Sequence, residues 1–333
     1  MTATIKDVAK AAGVSISTVS RVINNSKPVS SEIRQKVLEV INELGYKPNE
    51  IARTLVTKKS YLIGVIVTDL GDTYIAQLVR GIEEVGKMYD YDILLCSTYG
   101  DKATELKFMQ LLTRKQVEGI ILISDSLDDE IDKQIKEFEI PLVYLNRYFY
   151  TDDFSTVTID NLEATYEMTN YLIKLGHENI AYVPSSSEKY SVELLKLNGY
   201  KKAIEEYEGL EENIFYARGR GIDDGYEVCK EIMESGKDIT AIFCSHDELA
   251  IGVLNYLYDN DIKVPEDISV AGYGDIKTAS MFRPRLTTIR EPFYDIGAVA
   301  IRRIIKEIKK EAVESKTIVL PFQIQKRESC AKI

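Results

Sequence analysis

Short apolar runs alternate with helical patterns from residue 61 onward. Residues 62–67, 93–96, 120–123 and 142–145 are apolar at nearly every position, which is typical of strands buried on both faces of a parallel sheet. The segments between these runs carry apolar residues at helical spacing, as in residues 75–85. Strands that alternate with helices predict an α/β fold built on a doubly wound parallel sheet.

The same alternation starts again in the second half of the chain. Strand-like runs lie at residues 180–183, 214–216, 241–244 and 268–271, with helical patterns between them. Two similar halves predict two Rossmann-like lobes. Such lobes bind small ligands in the crevice beyond the carboxyl ends of their strands.

The first 60 residues differ from the rest of the chain in charge. The whole chain has a formal net charge of −11, which by itself argues against a nucleic-acid ligand. Residues 1–60 hold ten basic and five acidic side chains, a net charge of +5, so the remainder carries −16. This asymmetry predicts a basic nucleic-acid-binding module joined to an acidic body.

Three short helices are predicted within this basic segment. The first ends before Gly13, which tolerates the positive φ of a tight turn. Ser15 is a suitable N-cap for the second helix, and the third is expected from residue 31 to residue 44. The spacing of Ala9, Gly13 and Val19 is that of a helix-turn-helix. The predicted core residues are Ile5, Val8, Ala9, Ala12, Val19, Val22, Ile23, Ile33, Val37, Val40, Ile41 and Leu44.

The second helix would present its outward side chains to the major groove of DNA. Its short hydroxyl groups suit base edges and phosphates, and Arg21 is the best candidate for a guanine contact. The outward residues are Ile16, Ser17, Thr18, Ser20 and Arg21. The residues expected to face phosphates are Lys6, Ser15, Asn24, Ser30 and Arg34, and Thr4 completes the predicted set of DNA contacts.

The first 60 residues resemble the DNA-binding headpiece of the LacI/GalR family of bacterial repressors. The match extends without a gap over TIKDVAKAAGVSISTVSRVINNSKPVSSEIRQKVLEVINELGYKPNEIARTLVTKKS. The resemblance implies a hinge helix that enters the minor groove as a pair, with Leu55 wedged between base pairs and Asn49 and Ala52 beside it. A hinge of about two turns is too short to be stable alone. A homodimer on a pseudopalindromic operator is therefore expected.

The rest of the chain resembles the effector domain of the same family and, more distantly, the periplasmic sugar-binding proteins. The implied fold is α/β: a three-helix helix-turn-helix headpiece plus hinge helix, then two Rossmann-like lobes of the periplasmic-binding-protein type, each built from discontinuous segments. The headpiece is expected at residues 1–47 and the hinge helix and linker at 48–60. The N-terminal lobe is expected at 61–159 and 289–317, and the C-terminal lobe at 160–288 and 318–333.

The resemblance also locates an effector cleft between the lobes. Lys196 stands where members that bind sugars or purines usually have an arginine, and a lysine is a point charge rather than a planar fork. Asp275 is displaced by one position from the aspartate that often holds ligand hydroxyls. A small sugar or sugar phosphate therefore remains one of two alternatives for the effector. The implied cleft residues are Tyr74, Ile75, Asn146, Arg147, Lys196, His246 and Asp275.

The other alternative is a protein corepressor bound to the helix that follows residue 292. Asp295, Val299, Arg302, Lys306 and Lys309 recur there at helical spacing and form an outward stripe. Two cations one turn apart can bind a phosphoserine, although such a stripe also occurs as a simple solvated face. This part of the chain resembles the catabolite-control branch of the family, whose corepressor is serine-phosphorylated HPr. The surface implied for that partner consists of Met88, Tyr89, Tyr294, Asp295, Arg302 and Lys306.

No motif in the sequence indicates an enzyme, a cofactor or a metal site. GxGxxG and GxxxxGK[ST] are missing, and four separated cysteines predict free thiols. No apolar run approaches the ~18–20 residues of a membrane span, and the N-terminus lacks the apolar core of a signal peptide. We therefore expect a cytoplasmic DNA-binding regulator. A transport-type solute-binding protein is the alternative from another class, and the headpiece argues against it.

Overall fold

The computed structural model describes residues 3–24, 27–46, 59–123, 133, 135–145, 153–185 and 192–333. The chain divides into two compact units, residues 1–60 and residues 61–333. Apart from residues 59 and 60, the predicted hinge helix lies outside the described residues.

Three helices form the first unit: α1 (Ile5–Ala12), α2 (Ile16–Asn24) and α3 (Ser31–Glu43). Gly13 has a φ of +66° between α1 and α2. The Ser15 hydroxyl accepts a hydrogen bond from the Thr18 N–H at 3.1 Å. Both features of the predicted helix-turn-helix are thus confirmed. The buried core consists of Val8, Ala9, Ala12, Val19, Val22, Val37 and Val40.

Two residues predicted for this core are exposed instead. Ile33 lies near the start of α3 and Leu44 directly after its end, and both face solvent. The reason is helix length, because α1 and α2 have only 8 and 9 residues whereas α3 has 13. The two shorter helices cover the middle of α3 and leave its ends uncovered.

The second unit contains two six-stranded sheets, and the first is parallel throughout. Its strand order is β11-β5-β4-β3-β1-β2. The strands are β1 (Leu62–Val67), β2 (Asp92–Ser97), β3 (Gly119–Ile123), β4 (Leu142–Leu145), β5 (Ser155–Ile159) and β11 (Thr317–Leu320). The helices that accompany this sheet in the described chain include α4 (Thr73–Met88), α5 (Lys102–Arg114) and α10 (Phe293–Ile308).

The second sheet is parallel except for one antiparallel edge strand. Its order is β12-β10-β9-β8-β6-β7, with β12 antiparallel to β10. The strands are β6 (Ile180–Val183), β7 (Asn213–Ile214), β8 (Ala241–Cys244), β9 (Ser269–Gly274), β10 (Thr287–Arg290) and β12 (Gln323–Gln325). Its helices include α6 (Asn161–Lys174), α7 (Val192–Glu205), α8 (Ile222–Glu234) and α9 (Asp247–Asp259). The predicted α/β fold with a helical headpiece and two lobes is confirmed.

The sheets place the crossings between the lobes slightly later than predicted. β10 belongs to the second sheet through Arg290, and β11 belongs to the first sheet through Leu320. The predicted crossings at 288/289 and 317/318 therefore each fall inside a strand. A strand buried in one sheet cannot change sheets at its centre, so the crossings lie after Arg290 and after Leu320.

Some strands differ from the apolar runs in the sequence. β5 was not predicted as a strand, because Ser155, Thr156 and Thr158 are polar and yet fully buried. β7 ends at Ile214, and Tyr216 is exposed rather than part of the predicted strand. β9 begins at Ser269 and continues to Gly274, beyond the predicted run.

Helices α4 and α10 cross at unusually short range. A Cβ atom at Gly81 of α4 would overlap the backbone carbonyl oxygen of Tyr294, and one at Gly297 of α10 would overlap that of Leu78. Each helix thus presents a glycine to the backbone of the other. This contact fixes the two helices side by side within the first lobe.

Gly81→Ala should therefore destabilise the protein, although alanine favours an exposed helix by about 1 kcal/mol relative to glycine. The added methyl group must push α10 away, and overpacking of this kind costs roughly 1–3 kcal/mol. Gly86→Ala in the same helix is the matched control, because its Cβ would meet atoms no closer than 3.5 Å. Denaturant unfolding measures both variants. Equal stability of the two would contradict the close crossing.

Candidate functional site

The outer face of α2 carries the side chains predicted to read DNA. Ile16, Ser17 and Arg21 are exposed, whereas Thr18 and Ser20 are half-buried. The opposite face of α2 is held in the headpiece core. An exposed helix of this kind fits the major groove of B-DNA.

Hydroxyl groups at the start of α2 bond to one another. Ser15 Oγ lies 2.7 Å from Ser17 Oγ and 2.8 Å from Thr18 Oγ1. Thr4 donates both its backbone N–H and its hydroxyl to the Asp7 carboxylate, at 2.8 and 2.7 Å. These bonds lower the pKa of Asp7. Both donors of Thr4 are thus engaged in capping α1.

The residues predicted to face phosphates lie around this helix. Lys6 and Ser30 are exposed, and Asn24 and Arg34 are half-buried. Asn24 Nδ2 donates to Ser20 Oγ at 3.2 Å, and Ser30 Oγ accepts from the Ile33 N–H at 3.4 Å as the cap of α3. The predicted minor-groove residues, Asn49, Ala52 and Leu55, lie outside the described residues.

A cavity lies between the two lobes of the second unit. Its walls come from segments that follow the carboxyl ends of strands in both sheets, as the fold predicts. Tyr74, Lys196 and His246 line it. Ile75 is fully buried in the core instead. Asn146 and Arg147 lie outside the described residues.

Two contacts define the wall of the first lobe. The ring of Tyr74 packs against Phe293 with centroids 5.4 Å apart. Thr73 Oγ1 donates to Glu248 Oε1 at 3.4 Å and so joins α4 of the first lobe to α9 of the second. This hydrogen bond links the lobes directly across the cavity.

The wall of the second lobe contains a buried ion pair. Lys196 Nζ lies 3.2 Å from Glu193 Oε1, and both side chains are 4% exposed. Burial alone would raise the pKa of Glu193, but the Lys196 ammonium, the Arg220 charge and the hydrogen bond from the Ser185 N–H together hold that pKa well below its usual range. Burial and the Lys196 charge lower the pKa of His246, so its imidazole is neutral at pH 7. Glu193 was missed from the sequence, although its i, i+3 spacing to Lys196 suits an ion pair.

Asp275 does not line this cavity, which corrects its place among the predicted cleft residues. Its carboxylate binds Arg290 at 2.7 Å and also Arg327. Asp247 is one of the carboxylates that do line the cavity, and it accepts from Thr288 Oγ1 at 2.5 Å and from the Ile276 N–H at 2.8 Å. Burial raises the pKa of Asp247 to about 6. The sequence could not reveal this, because Asp275 follows β9 with a φ of +55° that turns it away.

The outer surface of α10 carries the predicted cationic stripe. Asp295, Arg302 and Lys306 are exposed, whereas the apolar face of the helix is buried. Within the described residues, neither the Arg302 side chain nor the Lys306 side chain forms an ion pair or a hydrogen bond. Both line a groove together with Tyr89 and Ile318.

Exposed apolar side chains border this groove. Met88 is 75% exposed and Tyr89 42% exposed, at the end of α4. Lys309 Nζ lies 5.7 Å from the centroid of the Tyr89 ring. Tyr294 donates to Glu84 Oε2 at 2.8 Å. All six residues predicted to contact the corepressor therefore lie on two adjoining elements. Four are on α10, and Met88 and Tyr89 are the last residue and the C-cap of α4.

A buried arginine anchors α10 beneath this surface. Arg303 Nε donates to Ser155 Oγ at 2.7 Å and to Glu307 Oε1 at 3.2 Å. Its Nη2 donates to the Ser315 carbonyl at 2.5 Å. These bonds tie α10 to β5 and to the segment before β11. Arg302 and Lys306 therefore project from a fixed backbone.

The described residues contain no group of three or more His, Cys, Asp and Glu side chains arranged to hold a metal ion. The four cysteines are free thiols. No helix in the described part of the chain is long and apolar enough to cross a membrane.

Two family models match the chain. Residues 4–49 match "Bacterial regulatory proteins, lacI family", and residues 60–328 match "Periplasmic binding proteins and sugar binding domain of LacI family". The transcriptional regulator RegA of Clostridium acetobutylicum is 41% identical over 99% of this chain and 100% of its own. Catabolite control protein A of Priestia megaterium is 38% identical over 99% of each chain.

Solved structures show the same organisation. The lac repressor dimer bound to operator and an anti-inducer has a TM-score of 0.88 and 27% identity, covering 99% of this chain and 100% of that one. The regulator CcpA of Lactococcus lactis has a TM-score of 0.74 and 31% identity, covering 81% of this chain and 98% of that one. The chain belongs to the LacI family of bacterial transcriptional regulators.

Proposed function

We propose that this regulator controls genes of carbon metabolism, mostly as a repressor, and that serine-phosphorylated HPr is its corepressor. The carbon-metabolism role is supported by relatives named catabolite control protein A, which are 34–38% identical to this chain. The observation that carries the corepressor is the pair Arg302 and Lys306, exposed and unpaired within the described residues beside Met88 and Tyr89. A regulator of this kind acts in the cytoplasm, where bacterial operators are.

The proposed DNA complex uses two headpieces on a pseudopalindromic operator. Each α2 enters a major groove, with Ile16, Ser17 and Arg21 toward the bases, and half-sites lie about one helical turn apart. Leu55 from each hinge enters the minor groove between them. The +5 charge of residues 1–60 provides attraction to phosphates, and the −16 body limits unspecific adhesion to DNA.

A homodimer is supported by the edge of the first sheet. β2 is the last strand of that sheet and exposes Leu95. Ile93 and Leu95 of this strand line a groove together with Val79 of α4. An exposed apolar edge strand tends to associate with other chains unless it is shielded from solvent. A second copy of this chain would shield it.

A phosphoserine suits the surface of α10 on chemical grounds. It carries a charge of about −1.5 to −2 at pH 7 and offers three strong acceptor oxygens. Arg302 provides a donor fork and Lys306 a point charge. Met88 and Tyr89 add apolar area, which suits a protein partner better than a free phosphate.

A small sugar or sugar phosphate in the interlobe cavity is the second candidate. The adjacent rings of Tyr74 and Phe293 favour it, because aromatic rings commonly line small-molecule pockets. In this case the effector would change lobe closure and, through it, the spacing of the two hinges.

One titration separates the two candidates. Operator binding is measured at fixed salt while HPr, serine-phosphorylated HPr, glucose, or glucose 6-phosphate is added. We expect only phosphorylated HPr to raise operator affinity, by at least about tenfold, which is a coupling of about 1.4 kcal/mol. A response to a sugar, with none to phosphorylated HPr, would replace the first candidate by the second.

A further inference from the structure

The described chain crosses between the two lobes at three places, and these crossings decide how one lobe can turn against the other. The first follows Ile159 at the end of β5, the second follows Arg290 at the end of β10, and the third follows Leu320 at the end of β11. Hinges between domains consist of a few such residues at the ends of elements. A contact that joins the crossings to one another therefore limits the motion of the lobes.

The carboxyl end of β9 contacts the first crossing. The hydroxyl of Tyr273 donates to Asn161 Oδ1 at 2.8 Å. Nδ2 of the same amide donates to the Ile159 carbonyl at 3.3 Å. The Asn161 side chain thus joins β9 of the second lobe to β5 of the first. Tyr273 and Asn161 are both buried, so the loss of either bond would leave a polar group unsatisfied.

Asp275, which directly follows β9, binds the chain near the other two crossings. Its side chain is 4% exposed, and its Oδ2 accepts from Arg290 Nε at 2.7 Å. Its Oδ1 accepts from Arg327 Nη2, and Arg327 Nη1 donates to the Leu286 carbonyl at 2.8 Å. Arg290 is the last residue before the second crossing. Arg327 lies two residues after β12, the strand that the chain enters after the third crossing.

The backbone at Asp275 is held in an unusual conformation. Gly274 has a φ of +127° and Asp275 a φ of +55°, and positive φ is uncommon for residues other than glycine. Such conformations persist where the surrounding contacts hold them in place. Here the two arginines hold both carboxylate oxygens, so the direction of the Asp275 side chain is fixed.

We propose that Asp275 is a positioning residue for regulation, and that residues 273–275 join the three interlobe crossings into one hinge. Helix α10, which carries the surface proposed for the corepressor, begins three residues after Arg290. A shift of α10 therefore displaces Arg290 and, through Asp275, the chain at the other crossings. This link to the corepressor rests on the proposed function, whereas the joined hinge does not.

Hydrogen exchange of the full-length protein tests the hinge without any partner. Asp275→Asn keeps the size of the side chain, but its NH2 group is a donor and opposes the donors of one arginine. We expect amide exchange to become about tenfold faster in residues 160–163, 290–293 and 320–323, with β1 and β8 unchanged. Residues 160–163 decide the test, because Asp275 forms no bond to them in the structure. Unchanged exchange there, or an equal increase in every strand, would overturn the joined hinge.

Glu328→Gln is the matched control, because it makes the same change in charge at another arginine pair. Glu328 Oε1 accepts from Arg285 Nε at 2.8 Å and from Arg285 Nη2 at 2.6 Å. Arg285 precedes β10 and Glu328 follows β12, so this pair lies within the second lobe. The control should leave exchange at the crossings as it is in the intact protein. Faster exchange at all three crossings in Glu328→Gln would contradict a specific role of Asp275.

A second pair of variants serves if Asp275→Asn does not fold. The Arg290 side chain is 53% exposed, so Arg290→Gln should be tolerated in the fold while it loses the charged bond to Asp275. Arg290→Lys keeps a cation that can pair with the carboxylate. We expect faster exchange at the crossings in Arg290→Gln and partial recovery in Arg290→Lys. Equal exchange in the two variants would refute the contribution of this ion pair.

The regulatory role is tested by operator titrations with and without serine-phosphorylated HPr. Asp275→Asn should lower the coupling between the two ligands from at least about tenfold to less than about threefold. The affinity of the DNA-free protein for phosphorylated HPr should stay within about threefold of the intact value, which a general loss of stability would not allow. Full coupling in Asp275→Asn would overturn the positioning role. If the intact protein itself does not respond to phosphorylated HPr, the proposed function fails, and the exchange experiment still decides the hinge.

Discussion

Replacing both Arg302 and Lys306 by alanine is expected to abolish the response of operator binding to serine-phosphorylated HPr. Charged hydrogen bonds contribute about 1.5–3 kcal/mol each, and a phosphoserine forms one to three of them. Loss of both cations should lower the affinity for phosphorylated HPr by about 100-fold or more. Calorimetry of the partner with intact and variant protein measures this directly.

The fold should be unaffected, because both side chains are exposed and unpaired within the described residues. Lys115→Ala combined with Lys332→Ala is the matched control, since both lysines are exposed and the change in net charge is the same. The control should bind phosphorylated HPr like the intact protein. If both double variants lose affinity for phosphorylated HPr equally, the loss comes from the change in net charge and not from specific contacts with Arg302 and Lys306. If the Arg302/Lys306 variant binds phosphorylated HPr with unchanged affinity, the phosphoserine does not bind at this surface.

The second large effect is expected for Leu55→Ala, which should eliminate tight operator binding. A wedged side chain stabilises a kinked minor groove whose unstacking costs a few kcal/mol per step. Without the wedge we expect about a 100-fold loss of operator affinity. Leucine carries no charge, so the slope of log affinity against log salt should stay the same. Titrations at several salt concentrations test both statements.

Leu70→Ala controls for the loss of an exposed leucine, because Leu70 is exposed on the second unit. Sedimentation should show the same oligomeric state for both variants. Operator affinity that is unchanged in Leu55→Ala at fixed salt would contradict the minor-groove wedge. A changed salt slope would point instead to lost phosphate contacts.

The sequence predicted the headpiece well because its signals are local. A glycine at the turn, a serine at the N-cap and one apolar stripe per helix each act within a few residues. The exposure of Ile33 and Leu44 was missed because it depends on how much of α3 the shorter helices cover. The lobes were predicted from apolar runs, and β5 was missed because its buried face is built from hydroxyl side chains.

The cleft was harder to predict because its chemistry depends on distant contacts. The resemblance placed Lys196 correctly in the cavity, but could not show that Glu193, Ser245 and Tyr273 engage its charge. Asp275 was assigned to the cleft by position alone, whereas Arg290 and Arg327 hold it elsewhere. Partners far apart in sequence, such as Lys196 and Tyr273, which are 77 positions apart, leave no local pattern.

The glycine crossing of α4 and α10 has a mechanical consequence. Both helices have 16 residues and are therefore about 24 Å long. Each runs from the cavity, where Tyr74 and Phe293 lie, to the groove, where Tyr89 and Lys306 lie. Neither helix can slide past the other without a backbone clash. We therefore expect the two helices to move together as one rigid body. A displacement of these helices at the groove would therefore also displace their other ends at the cavity.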